Sequence, residues 1–212
     1  MLHDRGHTLV AGVDEVGRGP LAGPVMAGAV ILPPDLHTSV PWLQGVNDSK
    51  KLTPLQRERA AEEIHLWALG VGIGLASSGE IDASGIVAAT KLAMLRAIEA
   101  LPWRPQHLLI DFLPLEESGL PFSAVIGGDS RCYSIAAASI AAKVARDRMM
   151  VEASDLYPGY DFHLHKGYGT QRHLNNLKRL GPCPIHRLSF APVRLAQEIH
   201  RKAQKCPQTE VA

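Results

Sequence analysis

Four carboxylates that strand geometry could bring together are the most informative residues of this chain. They stand at or just beyond the ends of short apolar segments: Asp14, Glu15, Asp111 and Asp129. No histidine or cysteine with the spacing of a soft-metal site accompanies them, so the set favours a hard divalent cation bound through oxygen. Four acids in one pocket repel one another, by roughly 4 kcal/mol per pair at 4 Å in an effective dielectric of 20. Two divalent cations about 3.5 to 4 Å apart would offset that repulsion and could serve a phosphoryl displacement.

Asp14 and Glu15 are adjacent, and neighbouring side chains of a regular strand point to opposite faces. Both therefore cannot bind one ion from an undistorted strand. Glu15 either lies beyond the end of the strand or at a bulge, or it contributes through its backbone carbonyl or by supporting the ligands. The sequence thus predicts that Asp14 is the stronger ligand of the two.

A loop rich in glycine and proline follows this acidic pair. Gly17, Arg18 and Gly19 form its first part, and such a loop lets backbone amides approach a ligand closely. The tract also satisfies G-x-G-x-x-A, the fingerprint of a dinucleotide-binding turn. Its context argues against that function, because Pro20 and Pro24 disfavour a helix here and the carboxylates would repel a pyrophosphate. We expect these amides to read a sugar hydroxyl or a phosphate beside the metals.

Further polar residues could bind a substrate. Ser49 and Lys50 lie in a loop before a helix cap and combine a hydroxyl with a cation, although such a group is often solvated surface. Tyr168 stands between two glycines and could stack on a base or sugar, although a single tyrosine is often a core residue. His165 and His186 lack zinc spacing, and we expect them to be polar residues or to face phosphate.

Charge is distributed unevenly along a chain whose formal net charge is only +1. Residues 162–205 contain nine Lys or Arg against Glu198 alone, so this segment carries +8 and the remainder −7. Four of the cations surround the turn before a basic helix, where they could contact a nucleic-acid backbone: Lys166, Arg172, Lys178 and Arg179. The alternative is that a C-terminal helix has a solvated basic face and no such partner.

Apolar segments alternate with amphipathic ones in the order of an α/β protein. Strands are predicted at residues 9–13, 25–32, 69–75, 108–110 and 122–126. Helices are predicted at residues 53–67, 86–101, 134–153 and 170–180, and a last one begins near residue 192. The first three strands suit an antiparallel meander, and the strand–helix–strand order of the second half implies parallel pairing. Acids at the carboxyl ends of such strands stand where open α/β sheets place their sites.

Length and composition are those of a soluble globular protein. The 212 residues suffice for one domain, or for one domain with a helical appendage. Aromatic residues make up only 5% of the sequence, so the interior must be mostly aliphatic and rich in alanine. Cys132, Cys183 and Cys206 have neither disulfide nor zinc spacing, which favours a reducing compartment. Because no apolar stretch is long enough to cross a bilayer, we expect a soluble, cytoplasmic protein.

Several blocks of the sequence, taken in order, resemble one known family. They are Asp14-Glu15-x-Gly17-Arg18-Gly19-Pro20-Leu21-Ala22-Gly23-Pro24, Asp48-Ser49-Lys50, Asp111, Asp129, Ser134-Ile135-Ala136-Ala137-Ala138-Ser139-Ile140, His165-Lys166-Gly167-Tyr168-Gly169-Thr170 and His186-Arg187-x-Ser189-Phe190. This set closely resembles bacterial ribonuclease HII, with matches from residue 10 to about residue 193.

The resemblance implies an RNase H-like mixed five-stranded sheet flanked by helices, with a catalytic core at residues 1–155 and a basic helical extension at residues 156–212. It also implies endonucleolytic cleavage of RNA in RNA–DNA hybrids and cleavage 5′ of single ribonucleotides in duplex DNA. The mechanism would use two metal ions, Mn²⁺ or Mg²⁺, and would leave 5′-phosphate and 3′-hydroxyl ends. No obligate protein partner is evident from the sequence.

The resemblance also implies roles for particular residues. The metal-binding acids would be the four already named: Asp14, Glu15, Asp111 and Asp129. The loop at Gly17, Arg18 and Gly19 would read the ribose 2′-hydroxyl, the group that distinguishes RNA from DNA locally. The ring of Tyr168 would pack at the junction of the ribonucleotide with DNA.

Two departures from the family pattern leave every proposed ligand in place. Gly127 stands where the family often has lysine, and Phe112 stands where it often has a small residue. We expect the first to weaken the grip on a phosphate and the second to reshape the pocket. Two other functions stay open on sequence alone: a nucleic-acid binding module that has lost catalysis, and an oxidoreductase that uses the G-x-G-x-x-A tract.

Overall fold

A mixed five-stranded sheet lies at the centre of the computed structural model, which describes residues 6–37, 39–47 and 49–205. Its strands are β1 (Val10–Val16), β2 (Val25–Ile31), β3 (Gly70–Ala76), β4 (His107–Asp111) and β5 (Phe122–Val125). The strand order is β3-β2-β1-β4-β5, with antiparallel β1–β2 and β2–β3 pairs and parallel β1–β4 and β4–β5 pairs. The predicted meander and the predicted parallel half are both confirmed. Asp48, Cys206 and the end of the predicted extension at residues 206–212 lie outside the described residues.

Helices flank the sheet: α1 (Pro54–Trp67), α2 (Ser78–Ser84), α3 (Ile86–Glu99), α4 (Tyr133–Leu156), α5 (Phe162–His165), α6 (Gln171–Leu180) and α7 (Ala191–Lys205). The five predicted helices correspond to α1, α3, α4, α6 and α7. The two short helices, α2 and α5, are not predicted, although α2 begins at a capping box that joins Ser77 and Glu80. None of the helices in the described ranges is long and apolar enough to cross a membrane.

The two long helices α3 and α4 cover opposite faces of the sheet. On the face covered by α4, β1 and β2 each have a glycine where the helix backbone lies directly against the strand. A Cβ atom on Gly12 would stand 2.1 Å from the backbone carbon of Ser134, and one on Gly28 would stand 2.3 Å from the carbonyl oxygen of Ala138. The alanines of α4 complete this contact with side chains too small to hold the helix away.

The C-terminal segment joins the loop after β1 through backbone hydrogen bonds. The Leu21 amide donates to the Gly167 carbonyl at 2.8 Å, and the Gly23 amide donates to the Ile185 carbonyl at 2.8 Å. Ala22 forms an isolated antiparallel bridge with His186. Helix α4 itself ends at Leu156, at the predicted boundary between core and extension. The division into residues 1–155 and 156–212 remains a proposal.

The close approach of α4 to β2 generates a stability prediction. Gly28→Ala should lower the free energy of unfolding by about 1–3 kcal/mol, because its Cβ must displace the α4 backbone at Ala138. Gly45→Ala is the matched control, since its Cβ would meet no atom within 4 Å and should change stability by under about 0.5 kcal/mol. Urea denaturation of both variants checks this, and equal midpoints would contradict the close contact.

Candidate active site

Adjacent parallel strands place two of the predicted acids side by side. Val13 of β1 pairs with Ile110 of β4, so the next residues, Asp14 and Asp111, occupy neighbouring positions on the two strands. Asp129 lies in a 3-10 turn, Gly128–Ser130, which follows β5 on the other side of β4. The parallel half of the sheet therefore brings these three carboxylates towards one edge, as open α/β sheets do.

Asp14 is the most perturbed of these acids. Its side chain is buried, with 5% of its surface exposed, and its Oδ1 accepts the Glu15 amide at 2.8 Å. Burial, followed by repulsion from Glu15 and from Asp111, raises the pKa of Asp14 to about 7, against an opposing hydrogen bond from Ser139 of α4. The protein thus holds a carboxylate where its negative charge is poorly stabilised without a cation.

Glu15 does not lie beyond the end of the strand or at a bulge, and both of those expectations are wrong. Strand β1 continues to Val16, and Glu15 pairs with Ala27 in regular register. Its side chain therefore leaves the strand on the face opposite to that of Asp14. There its Oε1 accepts a hydrogen bond from Arg18 Nη1 at 3.2 Å. Glu15 is thereby linked to the loop that follows the strand.

Asp111 fixes the turn that carries Asp129. The Gly128 amide donates to Asp111 Oδ1 at 2.9 Å, which ties the two acids together through the backbone. Phe112 has a left-handed φ of 59° and an exposed ring. A bulky residue is strained there, which explains why a small residue would be favoured at this position. Gly127, the other departure from the family pattern, has φ 63°.

Ser49 and Lys50 lie near the acids in different ways. Ser49 is buried, and its Oγ lies 3.0 Å from the Oγ of Ser139, the residue that also bonds Asp14. Its hydroxyl thus faces α4 and links the loop to the acidic site. Lys50 extends its Nζ to 3.7 Å from Asp129 Oδ2. The sequence predicts both as phosphate contacts, and the geometry makes Lys50 the better placed of the two.

Tyr168 lies in a tight turn beside the glycine-rich loop. Its side chain is 40% exposed, and Lys143 Nζ and Arg146 Cζ both lie 5.9 Å from the ring centroid. Lys166 has φ 51°, and its Nζ donates to the His163 carbonyl. The turn therefore presents one partly open aromatic face within a cationic surrounding.

The histidines near this turn form a buried cluster of hydrogen-bonded polar residues. This agrees with the first of the two expectations for His165 and His186, that they are polar residues, rather than with the second, that they face phosphate. Both are buried, together with His173. The rings of His165 and His173 stack at 4.4 Å, and Nε2 of His173 lies 3.1 Å from Nε2 of His186. Burial lowers the pKa of His173 and of His186 to about 4, so both are neutral near pH 7. They pack against the buried side of the turn that carries Tyr168.

The basic C-terminal residues do not form one continuous surface. Arg187 is fully buried, and Arg172 Nε donates to Asp161 Oδ2 at 2.7 Å. Lys178 and Arg179 remain exposed on the last turn of α6. Contact with a nucleic-acid backbone stays a prediction for these two, and likewise for Lys166 and for Arg172, whose side chain is exposed.

Within the described ranges, no three His, Cys, Asp or Glu side chains form a ready metal-binding group. Asp14, Glu15 and Asp111 interact electrostatically, whereas Arg18 holds Glu15 and Lys50 lies beside Asp129. Three residues that contact the site are assigned no role by sequence reasoning: Ser139, Arg146 and Arg187. Ser139 and Arg187 stand inside recognised sequence blocks, but only the fold reveals what they touch.

Comparison with known proteins gives consistent matches. The profile of the family described as Ribonuclease HII matches residues 11–193. Ribonuclease HII of Enterococcus faecalis is 50% identical over 192 residues, which cover 91% of this chain and 73% of the relative. The crystal structure of ribonuclease H2 from Pyrococcus horikoshii aligns with a TM-score of 0.77 and 29% identity, covering 92% of this chain and 99% of that one.

A more distant structure supports the fold alone. Bst-RNase HIII, solved in complex with Mn²⁺, aligns with a TM-score of 0.72 at 20% identity and covers 94% of this chain and 72% of its own. The family profile and the solved structures agree with the RNase H-like sheet. This chain belongs to the ribonuclease HII family, and it is accordingly a hydrolase, a ribonuclease H endonuclease that acts on RNA–DNA hybrids.

Proposed function

We propose that, besides RNA–DNA hybrids, the enzyme cleaves duplex DNA on the 5′ side of a single embedded ribonucleotide and leaves 5′-phosphate and 3′-hydroxyl ends. The observation that carries this proposal is the continuity of the acids with the glycine-rich loop. Asp14 and Glu15 belong to β1, and Gly17 follows directly after the strand ends at Val16. A sugar held by this loop would therefore have its neighbouring phosphate beside the carboxylates.

The acidic site would hold Mn²⁺ or Mg²⁺, with two ions present when substrate is bound. Asp14, Asp111 and Asp129 would bind through their carboxylates. Glu15, which leaves β1 on the other face, would contribute through its backbone carbonyl or by supporting the ligands. The donor set fits such an ion because it offers only oxygen atoms at a place where Asp14 has a pKa raised to about 7 by burial and by neighbouring acids. The Mn²⁺ complex of the similarly folded Bst-RNase HIII is in keeping with this choice. When bound, the ions would activate the attacking water and neutralise charge on the phosphate.

Two cations of the chain would change partners when substrate and metal arrive. Arg18 now bonds Glu15, and Lys50 lies beside Asp129. An incoming divalent ion would compete with Lys50 for Asp129, and an incoming phosphate would attract both Arg18 and Lys50. Arg18 and Lys50 would thus pass from acids of the site to oxygens of the nucleic acid.

Recognition of the sugar would come from two elements that are tied to each other. The amides of Gly17, Arg18 and Gly19 would bond the ribose 2′-hydroxyl, while the Tyr168 ring would pack on the adjacent deoxyribose. The hydrogen bond from Leu21 to Gly167 holds both elements in one unit. Lys166 would contact a phosphate from the same turn, and Ser49 would act by holding the loop that carries Lys50.

This activity suits an enzyme of DNA replication and repair, and we place it in the cytoplasm without an obligate protein partner. Ribonucleotides within DNA are its proposed substrate, and the proposed recognition elements all lie in one chain. Cleavage of a duplex with one ribonucleotide distinguishes this function from that of a binding module without catalysis. An oxidoreductase would instead bind a nicotinamide nucleotide, which a fluorescence titration detects.

The first prediction concerns the metal-free protein. Asp14→Asn should stabilise it by about 4 kcal/mol at pH 8, because a carboxyl whose folded pKa is about 7 against an ordinary 3.8 destabilises the fold increasingly as pH rises between these values. Below about pH 4 the difference should vanish. Thermal unfolding with a chelator measures this, and added Mn²⁺ should stabilise the wild type more than the variant. Asp155→Asn, a surface change of equal charge, should show neither effect.

The second prediction concerns catalysis. Asp129→Asn should retain the fold and lose at least about 100-fold in cleavage of a duplex with one ribonucleotide, since it removes the negative charge of one proposed metal ligand. Initial rates with Mn²⁺ and with Mg²⁺ measure this, with Asp155→Asn again as the control. A loss below about tenfold, equivalent to roughly 1.4 kcal/mol, would remove Asp129 from the set of metal ligands.

The third prediction concerns Tyr168. Tyr168→Ala should lower kcat/KM on the single-ribonucleotide duplex by about 10- to 100-fold, because a stacking contact is lost while phosphate contacts remain. Affinity for the all-DNA duplex at matched salt should change far less. Tyr168→Phe keeps the ring and should behave like the wild type. An equal fall in both quantities for Tyr168→Ala would make Tyr168 a packing residue.

A further inference from the structure

Two arginines are buried beneath the glycine-rich loop without a carboxylate partner. Arg146 and Arg187 are both fully buried, and neither forms an ion pair with a described residue. Their guanidinium groups bond backbone carbonyls instead. Burial of an unpaired charge costs several kcal/mol, so the hydrogen bonds to these backbone carbonyls must offset that cost.

Of these two arginines, Arg187 is the one whose side chain bonds carbonyls in the first part of the loop. Its Nη2 donates to the Gly17 carbonyl at 2.6 Å, its Nη1 to the Arg18 carbonyl at 2.8 Å, and its Nε to the Gly23 carbonyl at 3.0 Å. One planar group thus joins both ends of the loop. Arg146 instead bonds the carbonyls of Ala22, Pro24 and Lys166.

The hydrogen bonds of Arg187 also set the direction of the next two backbone amides. In a trans peptide the C=O of one residue and the N–H of the next point in opposite directions, and every described peptide bond is trans. Because Arg187 draws the Gly17 and Arg18 carbonyls inward, the Arg18 and Gly19 amides must point outward. Neither amide donates to an acceptor within the described part of the chain.

The two glycines of the loop differ in what requires them. Gly17 has φ 88°, and a Cβ there would lie 2.2 Å from Arg146 Nε, so the fold itself demands glycine. Gly19 has no such φ, and a Cβ on it would meet no atom within 4 Å. The space above Gly19 is therefore open, and the backbone there can be approached closely from outside.

We infer that Arg187 is a positioning residue for substrate recognition: by holding the Gly17 and Arg18 carbonyls, it aims the Arg18 and Gly19 amides at the 2′-hydroxyl of the ribonucleotide. Arginine suits this role and lysine does not, because only the planar guanidinium offers donors in a fixed fork. The inference rests on the proposed function, and its test must separate the two.

The test compares duplexes that carry one ribonucleotide with either a 2′-hydroxyl or a 2′-fluoro group. Fluorine is a poor acceptor, so the ratio of kcat/KM between the two substrates reports the amide contacts. In Arg187→Lys this ratio should shrink by about tenfold, the size expected for loss of a well-aligned hydrogen bond. A general loss of stability would lower both rates together and leave the ratio unchanged.

Controls make each outcome decisive. Ile64→Ala, a cavity in α1 remote from the loop, should lower the melting temperature without altering the ratio. If Arg187→Lys does not fold, Arg187→Gln, which removes the buried charge, takes its place. In the wild type, NMR resonances of the Arg18 and Gly19 amides should shift on binding the ribonucleotide duplex in Ca²⁺ more than on binding all-DNA duplex.

The inference is overturned if the wild-type ratio is large and the Arg187 variants keep it, or if the two amide resonances respond equally to both duplexes. A wild type that does not cleave at a single ribonucleotide, or that treats both sugars alike, contradicts the proposed function instead. The two failures therefore remain distinguishable.

Discussion

Direct backbone contact between α4 and the sheet is the constraint on which the rest of the structure depends. Gly12 and Gly28 leave no room for a side chain between the strands and the helix. The contact fixes the distance of α4 from the sheet and its position along the strands. The contacts of Ser139 and Arg146 follow from that position. Ser139 lies beside Asp14, and seven residues further along Arg146 lies under the loop after β1. A helix held farther out by larger side chains could make neither contact.

The charges of the site form two groups of opposite sign, the acids at the edge of the sheet and the buried arginines under the loop after β1. Acids meet at the edge of the sheet, where burial and mutual repulsion raise the pKa of Asp14 to about 7. Burial, and then Arg146, lower the pKa of Arg187 to about 9, which leaves that group cationic near pH 7. The proposed function uses both groups of charges, because divalent ions would bind the acids while the buried arginines hold the loop that is proposed to read the sugar. The small net charge of the chain conceals this separation.

The C-terminal segment is joined to the loop after β1 through its backbone. Its backbone hydrogen bonds with Leu21 and Gly23 place the Tyr168 turn next to the loop. Three neutral, buried histidines fill the space beneath that turn. Since their pKa values are lowered by burial, they behave as packing groups whose nitrogens satisfy local carbonyls and one another. On this support the Tyr168 side chain stays partly exposed, which the proposed contact with substrate requires.

The sequence by itself determined the elements and the inventory of acids, whereas tertiary structure decided which groups face each other. Apolar periodicity and capping signals are local, and they correctly predict the five strands and the main helices. The position of Asp111 after a buried strand likewise follows from local pattern. Long-range pairing is not local: β1 runs on to Val16 because β2 continues to pair with it, which sends Glu15 to the face opposite Asp14. In the same way, nothing local in the sequence indicates that Ser49 and Arg187 are buried. Their burial depends on partners about 90 and 170 residues away, and hydrogen bonds with a hydroxyl and with backbone carbonyls make it tolerable.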